Sequence, residues 1–250
     1  MKLSVVIPAH NEEGTIKDTI VSLFDTLASN NIPHEIFVSN DNSKDSTKEI
    51  LDNLLTIIPT LRYDTNTGPN GFGYAVRFGL ERATGDCIAI FMADLSDSPS
   101  DLVIFYQTMK EGNFDCVFGT RWSKGGKVID YPLLKKVTNR IANLIIRICF
   151  RHKYDDTTNA FKLYKRQTIE GLKPFIAPHF NLTIELPLKA IIRGYSFVIV
   201  PNSWTNRKYG ESKLKIREMG SRYLFIMLYC LIEKYFSKSD FKKKQETHIN

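Results

Sequence analysis

A chain of 250 residues with 43% hydrophobic and 24% charged residues can bury a sizeable core, which excludes a disordered or fibrous polymer. Its four cysteines, Cys87, Cys116, Cys149 and Cys230, are scattered with no CxxC pair, which excludes a zinc ribbon and a disulfide framework. The net charge of +7 gathers at 124–136, 147–153, 207–217 and 242–244, either a solvated basic face or a surface for an anionic partner.

In chain order, Leu3–Ile7 is a short apolar run that reads as a buried strand. Pro8 is expected to stop its ladder, and Asn11 to cap a helix with Glu12 and Glu13 in the first turn. A second apolar strand ends near Asn40 and Asp41, and Ser43 or Asp45 opens a helix to about Ile58. The alternative for Asn40 and Asp41 is an Asx cap of that helix, a role expected of Asn42 and Ser43. In residues 67–86, glycines precede a helix carrying Ala75, Val76, Phe78 and Leu80. A GxGxxG dinucleotide reading fails because Tyr74, Ala75 and Val76 follow Gly73. Gly71 and Gly73 instead allow close backbone approach to a ligand or a tight helix entry.

The stretch 86–99, DCIAIFMADLSDSP, is the most informative. An apolar run from Cys87 to Met92 ends in Asp94 and Asp97. Open α/β sheets place ligands at the carboxyl edge of such strands, and carboxylates there hold a divalent cation against phosphates. The alternative is a turn, with Asp97 and Ser98 starting the bend before Pro99. Strand and helix alternate from the first residue, which is doubly wound α/β architecture.

Two later segments bear on a membrane. Residues 139–151, NRIANLIIRICFR, place Ile141, Leu144, Ile145 and Ile148 on one helical face. Residues 221–236 have an uncharged core only from Tyr223 to Ile232, short of the roughly 20 apolar residues a spanning helix needs. Cation-flanked interfacial helices fit both, and packing on the core or a homodimer contact is the alternative. The opening MKLSVVIPAHNEE turns acidic too soon for a signal peptide, so a cytoplasmic protein peripheral on the inner membrane face is expected. No aromatic stacking platform for nucleic acid is legible.

These segments, with GTRWSKGG at 119–126, DDTTNAFKLYKR at 155–166 and NRKYGESK at 206–213, resemble the inverting glycosyltransferases of family two. Within them the chain is similar to the polyprenyl-phosphate sugar transferases, the group of the dolichyl-phosphate mannose synthases. The resemblance implies a single α/β domain of GT-A fold over residues 1–215, with a mainly parallel mixed sheet. Residues 216–250 are then a C-terminal amphipathic helix, at a membrane interface or packed, and a basic tail. It also implies a nucleotide-sugar donor bound by Pro8, Ala9, Glu12, Asn40, Asp41, Gly73, Ala93 and Asp94. Asp94 would hold Mg²⁺ or Mn²⁺, with Asp97 or water filling the place of the family's first aspartate, here Met92. A thioether is a poor ligand for a hard cation. His10 stands where a tyrosine is common and receives no acid–base role.

If the acceptor is a polyprenyl phosphate, its oxygen is already anionic, and cations must screen it from the donor diphosphate. Arg121, Lys135, Arg207 and Lys213 are the candidates by resemblance, with Asp156 at the acceptor loop. Asp94, Arg121, Arg207 and Lys213 form the expected catalytic set. If the acceptor is a saccharide hydroxyl, a carboxylate base is needed, and Asp155, Asp156 and Glu185 are available. A third reading is a non-catalytic nucleotide-sugar-binding homologue.

Overall fold

The computed structural model describes residues 1–207, 216–238 and 240–243. The apolar runs become strands and the amphipathic stretches helices in the expected alternation. The first half runs β1 (Leu3–Ala9), α1 (Ile16–Ser29), β2 (His34–Asn40), α2 (Thr47–Leu55), β3 (Leu61–Thr65), α3 (Phe72–Arg82), β4 (Cys87–Ile90) and α4 (Pro99–Gly112). The second half runs β5 (Cys116–Thr120), β6 (Lys127–Ile129), α5 (Leu133–Phe150), β7 (Lys162–Lys165), α6 (Arg166–Gly171), α7 (Leu182–Ile192), β8 (Phe197–Pro201), β9 (Ser203–Thr205) and α8 (Ile216–Phe236).

Seven strands form one sheet in the order β3-β2-β1-β4-β7-β5-β8, and β6 pairs with β9 in a small second sheet. Only β7 runs antiparallel to its neighbours, so the large sheet is mixed but mainly parallel. Side-chain alternation divides its two faces. Leu3, Val5 and Ile7 of β1 join a core layer under α1, α2 and α4, while Val6 joins the layer under α3, α5, α6, α7 and α8. From β1 the chain builds outward through β2 and β3, then returns to place β4 on the other side of β1. That switch in direction opens a crevice at the carboxyl ends of β1 and β4.

Local details depart from the sequence reading. Pro8 does not stop the strand, because β1 continues to Ala9 in register with Asn40. Val6 O accepts from Phe91 N–H on the β4 side and Ala9 O from Asp41 N–H on the β2 side. Pro8 shares the parity of Val6, so its missing N–H lies past the end of the β4 ladder. Asn11 is not a helix cap either: it has φ +52° and its backbone and side chain bond Ser43 and Lys44. The helix α2 ends at Leu55, three residues short of the expectation.

The apolar stripe on α5 faces outward. Ile141, Leu144, Ile145 and Ile148 are each at least 48% exposed, while Asn143, Ile146 and Phe150 point inward. The helix α8 shows Leu224, Phe225, Leu228 and Ile232 to solvent and buries Ile226 and Cys230 completely. It is tied to α7 by a bidentate pair, Arg193 donating to Glu233 at 2.6 and 2.8 Å. Among the described residues, no helix is long and apolar enough to cross a membrane.

Candidate active site

The loops that follow β1 and β2 are sewn together at the crevice. Glu12 N–H donates to Thr47 Oγ1 at 2.9 Å, Glu13 N–H to Asp45 Oδ2 at 3.1 Å, and Ser46 N–H to Glu13 Oε2 at 2.9 Å. Pro8, Ala9 and Asp41 line the base of this ledge and are nearly fully buried. The Asp41 carboxylate accepts from Asn66 Nδ2 at 2.8 Å and Gly71 N–H at 2.7 Å, which fixes the glycine loop over the ledge. His10 Nδ1 lies 2.7 Å from Asp41 O, so this histidine holds the ledge together.

Two expected donor contacts take structural roles instead. Asn40 is 2% exposed, and its amide accepts from Ser43 N–H and donates to Thr65 Oγ1. Both ends of the side chain are committed to the turn. At Gly73 the missing side chain makes room for a neighbouring loop. A Cβ there would sit 2.5 Å from Ala177 O and 2.6 Å from the Pro178 carbonyl carbon, so the glycine admits the 177–179 loop.

Beside the ledge lies a pocket of about 310 Å³. It brings together Met92, Asp94 and Asp97 from beyond β4, Arg121 from beyond β5, Lys135 from α5 and Arg207 from beyond β9. Five of the charged residues singled out in the sequence thus meet in one cavity. Lys213 lies outside the described residues. The turn after β4 aims Asp94: Leu95 adopts φ +60°, and Ser96 N–H donates to Asp94 Oδ1 at 3.1 Å. Arg207 Nη2 donates to Asp94 Oδ2 at 2.7 Å, and Nη1 lies 3.9 Å from Glu12 Oε1, so Arg207 joins the pocket to the ledge. Asp97 accepts from Met92 N–H at 3.2 Å, and burial followed by the nearby Asp94 charge pushes its carboxyl up to about 7.

Asp156, expected at the acceptor loop, does not line the pocket. It is fully buried behind Arg121, whose Nε and Nη2 donate to its two oxygens at 2.8 and 2.7 Å, with the Arg121 N–H adding a third bond at 3.0 Å. Burial opposes the guanidinium charge, but Asp156 outweighs it and Arg121 remains a cation aimed at the pocket. The other carboxylates considered as bases are also committed elsewhere. Asp155 accepts from Thr120 Oγ1, and Glu185 accepts from the Ile176 and Ala177 N–H groups and from Lys189 Nζ.

The aromatic wall escaped the sequence reading. Tyr131, Phe180, Trp204 and Tyr223 line the pocket, from segments far apart in the chain. Tyr131 packs edge-on against Trp204 at 4.8 Å and against Trp122 at 5.8 Å. A further buried amine, Lys162, donates to Thr157 O and Thr183 O, and burial lowers its pKa to about 7 despite the nearby Asp156. Its place on β7 reads as an ordinary strand residue, so only the fold locates it.

The donor set fits a hard divalent cation through one residue. Asp94 offers a carboxylate at the pocket, Asp97 stands behind it, and Met92 contributes only a soft thioether. Among the described residues, no cluster of three His, Cys, Asp or Glu side chains gathers. Asp94 therefore suits a cation that takes its remaining ligands from substrate phosphates and water.

Known proteins share both sequence and fold with this chain. The chain is 31% identical over 219 residues to the dolichol-phosphate mannosyltransferase of Pyrococcus furiosus, covering 86% of this chain and 60% of that one. It is 29% identical over 232 residues to glycosyltransferase AglD of Haloferax volcanii, covering 90% of this chain but 36% of the relative. The undecaprenyl-phosphate mannosyltransferase of Micrococcus luteus is 26% identical, with 86% and 88% of the two chains covered. The chain thus spans about a third and three fifths of the first two relatives. Glucosyl-3-phosphoglycerate synthase from Mycobacterium tuberculosis, solved with Mn²⁺ and UDP-glucose, superposes with a TM-score of 0.70 at 18% identity, covering 93% of this chain and 78% of that one. The mixed seven-stranded sheet is accordingly a GT-A fold. The profile of Glycosyl transferase family 2 matches residues 4–172, two thirds of the sequence, and the chain belongs to that family.

Proposed function

We propose that this glycosyltransferase moves a hexose from a UDP- or GDP-sugar to a polyprenyl phosphate at the cytoplasmic face of a membrane, with inversion. The observation that carries the reading is the convergence of Arg121, Lys135 and Arg207 in a partly aromatic pocket beside Asp94. Three cations around one cavity suit two phosphate groups that must approach each other. None of Asp155, Asp156 and Glu185, the carboxylates considered as bases for a hydroxyl acceptor, lines that pocket, whose carboxylates are Asp94 and Asp97. The names of the Pyrococcus and Micrococcus relatives point to the same acceptor class.

In this reading the nucleoside lies on the ledge of Pro8, Ala9, Glu12 and Asp41, and the diphosphate reaches Asp94. A phosphate oxygen of the acceptor attacks the anomeric carbon from the face opposite the leaving group. The bond from that carbon to the diphosphate breaks, and the electron pair departs with the nucleoside diphosphate. Arg121 holds the acceptor phosphate, Lys135 adds charge at the α5 side, and Arg207 stands where the leaving diphosphate gains charge. Asp94, with Asp97 near it, would hold Mg²⁺ or Mn²⁺, which would further neutralise that charge.

The outer faces of α5 and α8 support the membrane part. Both helices lend residues to the pocket wall, Lys135 and Asn139 from α5 and Tyr223 from α8, while their far sides expose Ile145, Ile148, Phe225 and Leu228. Exposed Lys136, Arg140, Arg147 and Arg151 flank the α5 stripe, the pattern of a helix lying in an anionic lipid surface. Burial of the same stripe in a homodimer is the competing outcome.

The deciding experiment is transfer of radiolabelled sugar from a panel of UDP- and GDP-sugars to a short polyprenyl phosphate, with and without Mn²⁺. Label on the lipid establishes the reaction. Label only on saccharide acceptors, or saturable donor binding without transfer, overturns it.

A further inference from the structure

The contact between Arg207 and Asp94 is built, not incidental. The small β6–β9 sheet carries Arg207 to the site, and two backbone bonds fix its last turns: Thr205 N–H donates to Ser96 O and Asn206 N–H to Ile129 O, both at 3.0 Å. The first of these clamps β9 onto the turn that presents Asp94, and Trp204 bridges Asp97 on the same turn. The carboxylate is 7% exposed, and its two oxygens are engaged by Ser96 N–H and by Arg207. A divalent cation needs a carboxylate oxygen at close to 2 Å. Arg207 Nη2 already lies 2.7 Å from Oδ2, and two cations crowded on one oxygen repel strongly in a site of low dielectric. With a second aspartate at position 92, both could be served. This chain has Met92 there, and Asp97, the other carboxylate of the pocket wall, already accepts from Met92 N–H, so Asp94 is contested.

We propose that Arg207 and a divalent cation exclude each other at Asp94, so that Arg207 is the counter-ion of the metal-free site. Resting on the donor reading above, the consequence is an exchange of partners. When donor and cation arrive together, the Arg207 guanidinium leaves Asp94 for the diphosphate, which carries the charge it has lost. Metal affinity without donor is then low, and donor and cation bind cooperatively.

The test is titration of the purified full-length protein with Mn²⁺ alone, followed by electron paramagnetic resonance and calorimetry. Arg207→Gln is expected to bind Mn²⁺ roughly tenfold more tightly than wild type, because a close charge pair of this kind is typically worth at least that factor. Arg207→Lys, which keeps a cation, stays near wild type, and Asp94→Asn removes the site in both backgrounds. Equal affinity in wild type and Arg207→Gln overturns the proposal. So does a Lys variant that behaves as Gln, or Mn²⁺ binding that survives Asp94→Asn. Neither donor nor acceptor is present, so failure of sugar transfer and failure of this titration are separate results.

Discussion

Replacing Asp156 with asparagine removes one charge from a buried bidentate pair and leaves the Arg121 guanidinium, 7% exposed, without its counter-ion. Breaking a buried ion pair from one side costs roughly 3–5 kcal/mol. For a chain of this size each kcal/mol moves the melting temperature by about 2–4 °C, so a fall of roughly 6–20 °C is expected. The double variant Arg121→Met with Asp156→Asn takes both charges out of the interior. Its loss is expected to fall short of the sum of the single losses by about 1–3 kcal/mol, the coupling of groups in direct contact. Thermal and urea melts of the four proteins close the cycle. A parallel measurement reads function: Asp156→Asn should raise the KM for lipid phosphate while leaving donor binding unchanged, because Arg121 loses its aim. Additive losses, or an Asp156→Asn melt within 2 °C of wild type, would refute the claim that this pair positions the arginine.

Three further outcomes follow from other parts of the molecule. Burial alone would raise the Glu35 pKa, but hydrogen bonds from Ser4 and Thr84 hold it at about 2 against an ordinary 4.5, so its stabilisation is full above pH 4.5 and is lost as the pH falls toward 2. That difference corresponds to about 3 kcal/mol, and urea melts of Glu35→Gln should show a flatter acid limb over this range. Gly73→Ala should destabilise by about 1–3 kcal/mol, because the added methyl meets the backbone of Ala177 and Pro178, and an unchanged melting curve would show that the 177–179 loop yields freely. Ile145→Glu with Ile148→Glu should abolish sedimentation with anionic vesicles yet spare transfer to a short water-soluble acceptor, since both side chains point away from the core. Unchanged sedimentation, with a dimer converted to monomer on a sizing column, would assign that stripe to a homodimer. Deleting residues 216–250 is a poor substitute for that test, because Ile226, Cys230 and the Arg193–Glu233 pair belong to the core.

Much of the framework was legible in the sequence, since it rests on short-range patterns. Apolar runs such as Leu3–Ile7 and Cys87–Met92 specify buried strands, and the alternation with helices specifies winding. Asp94, just beyond the end of β4, marked the candidate site for the same reason, and Arg121 and Arg207 were named by resemblance from motif order. The tertiary structure decided what those residues touch. Arg121 meets Asp156 across 35 positions and Arg207 meets Asp94 across 113, and no local periodicity encodes such pairings. Asn40 and Gly73 look like ligand contacts in one dimension, and only the neighbouring loops show that one ties a turn and the other admits a backbone. The stripe on α5 was visible as a stripe, but its direction depended on which face the sheet claimed. Ile146 and Phe150 went to the core, and that choice left four apolar side chains facing solvent.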